Sequence, residues 1–78
     1  MRQERRNSMM PLTFAGRGEP VQIMKINGNA EVKQHLADMG FVVGGNVTVI
    51  SEADGNMIVN IKESRVAIGK EMALKIMI

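Results

Sequence analysis

The punctuation of this chain limits its fold more than any other feature. Asn27-Gly28, Gly40, Gly44-Gly45, Asp54-Gly55 and Gly69 interrupt it so often that no long helix fits between them. Only one of the resulting segments carries a helical period. Val32, Leu36 and Met39 fall at i, i+4 and i+7 and form a single apolar stripe. Asn29, just before it, suits an N-cap, because its side-chain oxygen can accept an orphan amide of the first turn; Glu31 favours the positive end of the helix dipole. Gly40 stops the helix by taking positive φ. In the Schellman form of that ending, Phe41 folds back on Leu36 and is held inside.

The other segments read as strands and turns. Residues 20–26 form a strand that alternates at Val21-Gln22-Ile23 and shifts phase at Met24-Lys25-Ile26, which places a bulge near Met24. Val47-Thr48-Val49-Ile50 is a β-branched run, and Asp54-Gly55 is a hairpin turn between strands at 46–52 and 57–62. On the second of these, Met57, Val59 and Ile61 face one side and Ile58, Asn60 and Lys62 the other. Arg65 to Ile68 is a further short strand, residues 69–73 a single helical turn, and Lys75 to Ile78 a closing strand. The order is strand, helix, then four short strands, which predicts a mainly β fold with one helix, a small curled antiparallel barrel. Its expected core is Val21, Ile23, Ile26, Val32, Leu36, Met39, Val47, Val49, Met57, Val59, Ile61, Val66, Ile68, Ala73 and Ile76. Each large aliphatic contributes roughly 1.5–3 kcal/mol on burial, leaving a 78-residue domain marginal enough that a homodimer would help.

Charge and composition exclude several classes of function. The formal net charge is +2, but residues 1–17 carry four arginines against Glu4, net +3, while residues 18–78 carry six basic and seven acidic residues, net −1. The basicity therefore belongs to an expected loose arm at residues 1–9, with the folded domain at 10–78. That arm reads as a solvated terminus rather than a phosphate-binding one, and Met9 or Met10 offers an alternative start. The chain has no Trp, no Tyr and two Phe, which argues against nucleic-acid recognition by rows of stacked bases. Without cysteine there is no disulfide scaffold, thiolate zinc site or cysteine nucleophile, and the chain fits a reducing compartment. Uninterrupted apolar runs such as Phe41-Val42-Val43 are far short of the roughly 20 residues of a membrane span. The apolar stretch from Met9 to Ala15 is broken by Pro11 and Thr13 and does not make a signal peptide.

No enzyme site can be assembled. The one histidine is His35, and Ser8, Ser51 and Ser64 lie in no strand-turn-helix context with it. Gly16-Arg17-Gly18 lacks a following Gly-Lys-Ser/Thr, and Gly44-Gly45 leads into a strand, so neither cradles a phosphate. Glu31, His35 and Asp38 share a narrow strip of the helix. Imidazole and carboxylates can bind a divalent transition metal, but such a strip is ordinarily a solvated helix face and has too few ligands for a closed site. Neither catalytic nor metal-site residues are therefore assigned. Among the eight methionines, Met39, Met57 and Met72 read as core filling.

The pattern resembles the FeoA family, small cytoplasmic accessory proteins of bacterial ferrous-iron uptake. The resemblance runs from Met10 to Ile78. It rests on Pro11-Leu12, on Gly18 before the first strand, and above all on Leu36-Ala37-Asp38-Met39-Gly40-Phe41 followed by Gly44. Val47 and Val49, Arg65-Val66-Ala67-Ile68, Ala73 and Ile76 match in type and spacing. Val43 stands where a proline is common, and the loop at Ala53-Asp54-Gly55-Asn56 is shorter than usual. The resemblance implies an SH3-like β-barrel with a helical insertion and no catalytic residues. It also implies a partner, the membrane permease FeoB with its cytoplasmic GTP-binding domain, and no required cofactor beyond weak or transient Fe(II) or Zn(II) binding.

For a docking surface the candidates are the exposed helix side (Glu31, Lys33, Gln34, His35, Asp38) and the outward-facing pair Ile50 and Ile58. The rival reading is a regulatory or nucleic-acid-binding small barrel like the C-terminal domain of iron-dependent repressors such as DtxR. The net charge of residues 18–78, the missing aromatics and the lack of a preceding helix-turn-helix weigh against it.

Overall fold

The computed structural model describes residues 9–78, so the expected arm lies outside the described residues except for Met9. A 3₁₀ turn at Leu12–Phe14 leads into strands β1 (Pro20–Gln22) and β2 (Lys25–Ile26), then helix α1 (Ala30–Asp38). Strands β3 (Asn46–Ala53), β4 (Asn56–Ile61) and β5 (Ser64–Gly69) form a meander, and a short α2 (Lys70–Ala73) returns the chain to β6 (Ile76–Met77). The strands build two antiparallel sheets, one ordered β1-β3-β4-β5 and the other β2-β6. The mainly β, one-helix, curled antiparallel fold read from the sequence is the one observed.

The expected single strand over 20–26 is corrected by this topology. Pro20, Val21 and Gln22 pair with Thr48, Val47 and Asn46, whereas Lys25 and Ile26 pair with Met77 and Ile76. The phase shift near Met24 is thus a change of sheet rather than a bulge. A register shift instead sits in β3 between Val49 and Ser51, where Ile50 is the extra residue against Val59 and Ile58. At the other end, Met10 and Ile78 exchange backbone hydrogen bonds of 3.0 and 2.7 Å, and Pro11 bridges to Met77, so the start of the domain lies along β6.

The ends of α1 follow local chemistry. Asn29 Oδ1 accepts the Val32 amide at 2.9 Å, satisfying one orphan donor of the first turn. At the C-terminus the Gly40 amide donates to Ala37 O and the Phe41 amide to Leu36 O, both at 2.9 Å, the paired bonds of a Schellman motif. Gly40 has φ +104°, a conformation that a Cβ penalises. Phe41 and Leu36 are both fully buried, as that motif requires. The first hairpin turns through Asp54 and Gly55, both at positive φ, the type I′ pattern. The second turns through Lys62-Glu63 with Lys62 at φ +54°, a position the sequence did not mark as a turn.

The core consists of Leu12, Ile23, Leu36, Phe41, Val47, Val49, Met57, Val59, Ile61, Ile68, Ala73 and Ile76. Leu12 was not expected: three residues of 3₁₀ turn carry no readable period, yet the side chain is fully buried. Val21, Ile26, Val32, Met39 and Val66, expected inside, are half-buried and packed against this core. They belong to short or peripheral elements whose second face meets water.

Three substitutions test these assignments. Gly40→Ala meets nothing closer than Ile61 Cγ2 at 3.7 Å, so its cost is the backbone alone, about 1–2 kcal/mol by urea unfolding. Leu12→Ala is expected to cost about 2–5 kcal/mol. The neighbouring Phe14→Ala, at a residue 69% exposed, should stay within about 0.5 kcal/mol of wild type in the same measurement.

Candidate functional site

Glu31, His35 and Asp38 are all exposed on α1. Asp38 Oδ1 accepts a hydrogen bond from Gln34 Nε2 at 2.9 Å, one turn away, so its carboxylate is engaged within the helix surface. Among the described residues no three His, Asp or Glu side chains are grouped so as to hold a metal ion. Ser51 belongs to β3 and Ser64 to β5, whereas His35 is carried by α1. Ile50 and Ile58 do lie on adjoining strands, Ile58 facing Ser51 across the ladder. Ile58 lies on the face opposite the buried Met57, Val59 and Ile61, as expected, but both isoleucines are half-buried rather than fully exposed. The outer face of the same sheet has a polar cavity of about 390 Å³ lined by Asn46, Thr48, Asn60 and Lys62, with Arg65 Nε donating to Asn60 Oδ1 at 3.3 Å.

A more distinctive surface follows from the segment after α1. The Gly45 amide donates to Val42 O at 3.0 Å, closing a four-residue turn over 42–45. Its third residue, Gly44, has φ +91°, while Val43 is not at positive φ, which makes this a type II turn with Val43 at its second position. Both ends of the turn are held. Phe41 is buried before it, and within it Gly44 donates to Ile23 O at 2.7 Å while Gly45 O accepts the Ile23 amide at 2.8 Å. The two valines between these anchors are turned outward, Val42 41% and Val43 63% exposed, beside Met24 at 53%.

These side chains rim a cavity of about 440 Å³, whose remaining apolar lining comes from Ile26, Ala37 and Phe41. The charged residues lining it are Lys25 of β2 and Lys33 of α1. At about 100° per residue, Lys33 and Ala37 share one flank of α1, while Glu31, Gln34, His35 and Asp38 occupy the other. The helix side that the sequence suggested as one surface is therefore two, a lysine-bearing flank in the groove and an acidic flank outside it. Sequence reasoning passed over this groove. The available signal was Val42-Val43, an aliphatic pair confined between Gly40 and Gly44 with no alternation to turn it inward. Among the described residues no helix is long and apolar enough to cross a membrane.

Comparison with known proteins places this geometry. A sequence model described as the FeoA domain matches residues 10–78. A protein of Methanocaldococcus jannaschii named Fe(2+) transport protein A is 40% identical over 70 residues, spanning 90% of this chain and 85% of that one. A crystal structure of an iron uptake regulatory protein (FeoA) superposes with TM-score 0.80 at 31% identity, covering 91% of this chain and 95% of the other. A manganese-dependent transcriptional repressor superposes at 0.83 with 18% identity over 97% of this chain and 44% of its own, a likeness of fold.

The turn assignment is open to test at Val43, its second position. The Val43 amide donates none of the turn and loop backbone hydrogen bonds, and proline is favoured at the second residue of a type II turn. Val43→Pro should therefore raise stability by about 0.4–1 kcal/mol in chemical unfolding, through a less flexible unfolded chain.

Proposed function

The chain belongs to the FeoA domain family of iron-transport accessory proteins, and from that premise we propose that it docks on the cytoplasmic side of the ferrous permease FeoB and modulates Fe(II) transport. The observation that carries this reading is the match of the family across the whole described domain, residues 10–78. The described residues support it in one further respect, because their distinctive surface is suited to contact. In this reading Fe(II) is the cargo of the permease, and the accessory protein works in the cytoplasm with no resident cofactor and no turnover of its own. Glu31 and His35, one helical turn apart and exposed, would offer Fe(II) or Zn(II) a transient contact at most.

The rival reading, a regulatory or nucleic-acid-binding barrel, draws on a fold likeness at 18% identity. The net charge of −1 over residues 18–78 gives it no electrostatic footprint.

Deleting the gene should lower Fe(II) uptake by intact cells, with recovery on re-expression. The tagged protein should retrieve FeoB from solubilised membranes. Unchanged uptake together with a pull-down free of FeoB would overturn the proposal.

A further inference from the structure

We infer that the groove between α1, β2 and the 42–45 turn is the docking site for an acidic, apolar peptide segment of the partner protein. This inference rests on the docking reading above and specifies the surface and the chemistry of what it receives.

Three of the seven exposed large hydrophobics of the described residues, Met24, Val42 and Val43, line this one groove. They are held by buried anchors on both sides, so the rim is preformed and little ordering cost accompanies binding. A cavity of about 440 Å³ with an apolar floor suits a few aliphatic side chains inserted from a peptide.

Charge selects the occupant. Lys25 and Lys33 line the groove and no acidic residue does, because Glu31 and Asp38 fall on the far flank of α1. A partner with Asp or Glu flanking its apolar anchors is therefore matched, and a basic one repelled. A flat bilayer laid across the Met24 and Val43 rim would leave the half-buried Ile26 beneath it uncovered, whereas a side chain inserted from a peptide reaches it. Phosphates of a nucleic acid would meet the lysines but gain nothing from the aliphatic rim.

The test is a binding titration of the purified chain against detergent-solubilised FeoB from the same organism. The variants are Met24→Asp, Val43→Asp and Lys33→Glu, with Phe14→Asp as a control of the same chemistry at an exposed residue outside the groove. Each substituted residue is exposed, so the variants are expected to fold, to be checked by unchanged thermal unfolding. The expected result is a loss of about tenfold or more in affinity for Met24→Asp and Val43→Asp. Lys33→Glu should weaken binding and flatten its salt dependence, and Phe14→Asp should bind like wild type.

Wild-type affinity in all three groove variants would overturn the groove while leaving FeoB docking intact. Absence of binding by the wild type would overturn both. An equal loss in Phe14→Asp would remove the claim of a specific site. Two controls decide against other occupants. Co-sedimentation of the wild type with phosphatidylglycerol vesicles, abolished by Val43→Asp, would reassign the groove to a lipid surface. A concentration-dependent dimer dissociated by Val43→Asp would reassign it to a second copy of the chain.

Discussion

Much of the structure depends on two backbone hydrogen bonds made by one residue. Ile23 donates to Gly45 O and accepts from Gly44, at 2.8 and 2.7 Å, with its side chain fully buried. On its N-terminal side the chain pairs with β3 in the four-stranded sheet; on its C-terminal side, beginning with the Met24 amide bonding to Met77 O, it pairs with β6. A strand that changes partners must satisfy its polar groups at the crossing, since buried amides and carbonyls without partners are costly. The 42–45 turn supplies those partners. The two separate ladders are thereby joined through a single segment, without a long central strand.

The same arrangement determines what the surface presents. Because Gly44 and Gly45 are committed to Ile23, and Phe41 is drawn into the core by the Schellman ending of α1, Val42 and Val43 cannot turn inward. The apolar rim is thus a consequence of how the helix is stopped and how the sheets are joined. Exposed aliphatics on a loose loop would collapse onto neighbouring apolar surface. Here they are held away from the core by backbone hydrogen bonds on both sides, which is what a docking surface needs if binding is not to be offset by ordering entropy.

How much of this was legible in the sequence depended on whether the signal was local. The α1 boundaries, its Asn29 cap, the Gly40 stop and the burial of Phe41 were readable because each rests on chemistry within a few residues. So was the Asp54-Gly55 hairpin, and with it the inward set Met57, Val59 and Ile61. What escaped was set by distant partners. A seven-residue run that looks like one strand is divided between sheets by Asn46–Thr48 and Ile76–Met77, which nothing in residues 20–26 encodes. Leu12 is buried by tertiary packing around a 3₁₀ turn too short to have a period. The Lys62-Glu63 turn places a lysine at φ +54° with no glycine or asparagine to announce it, so ladder pairing overrides local preference there. The groove was missed for the same reason: its lining comes from β2, α1 and the following turn, and only the fold makes them neighbours.

The likeness to a metal-dependent repressor at 18% identity shows why contact surfaces rather than the barrel must carry the functional distinction. A core of twelve apolar residues, with no buried polar or charged residue among the described ones, can be rebuilt from many sequences, and it specifies shape without specifying a partner. What can differ between such barrels at small energetic cost is the side chains their turns hold outward and the charges beside them. In this chain the second position of a type II turn carries valine, which keeps an aliphatic group at the rim of the groove much as a proline ring would. Valine at this position thus serves both the turn geometry and an apolar surface. Partner choice would then be adjusted mainly by the flanking charges, and at this groove those are Lys25 and Lys33.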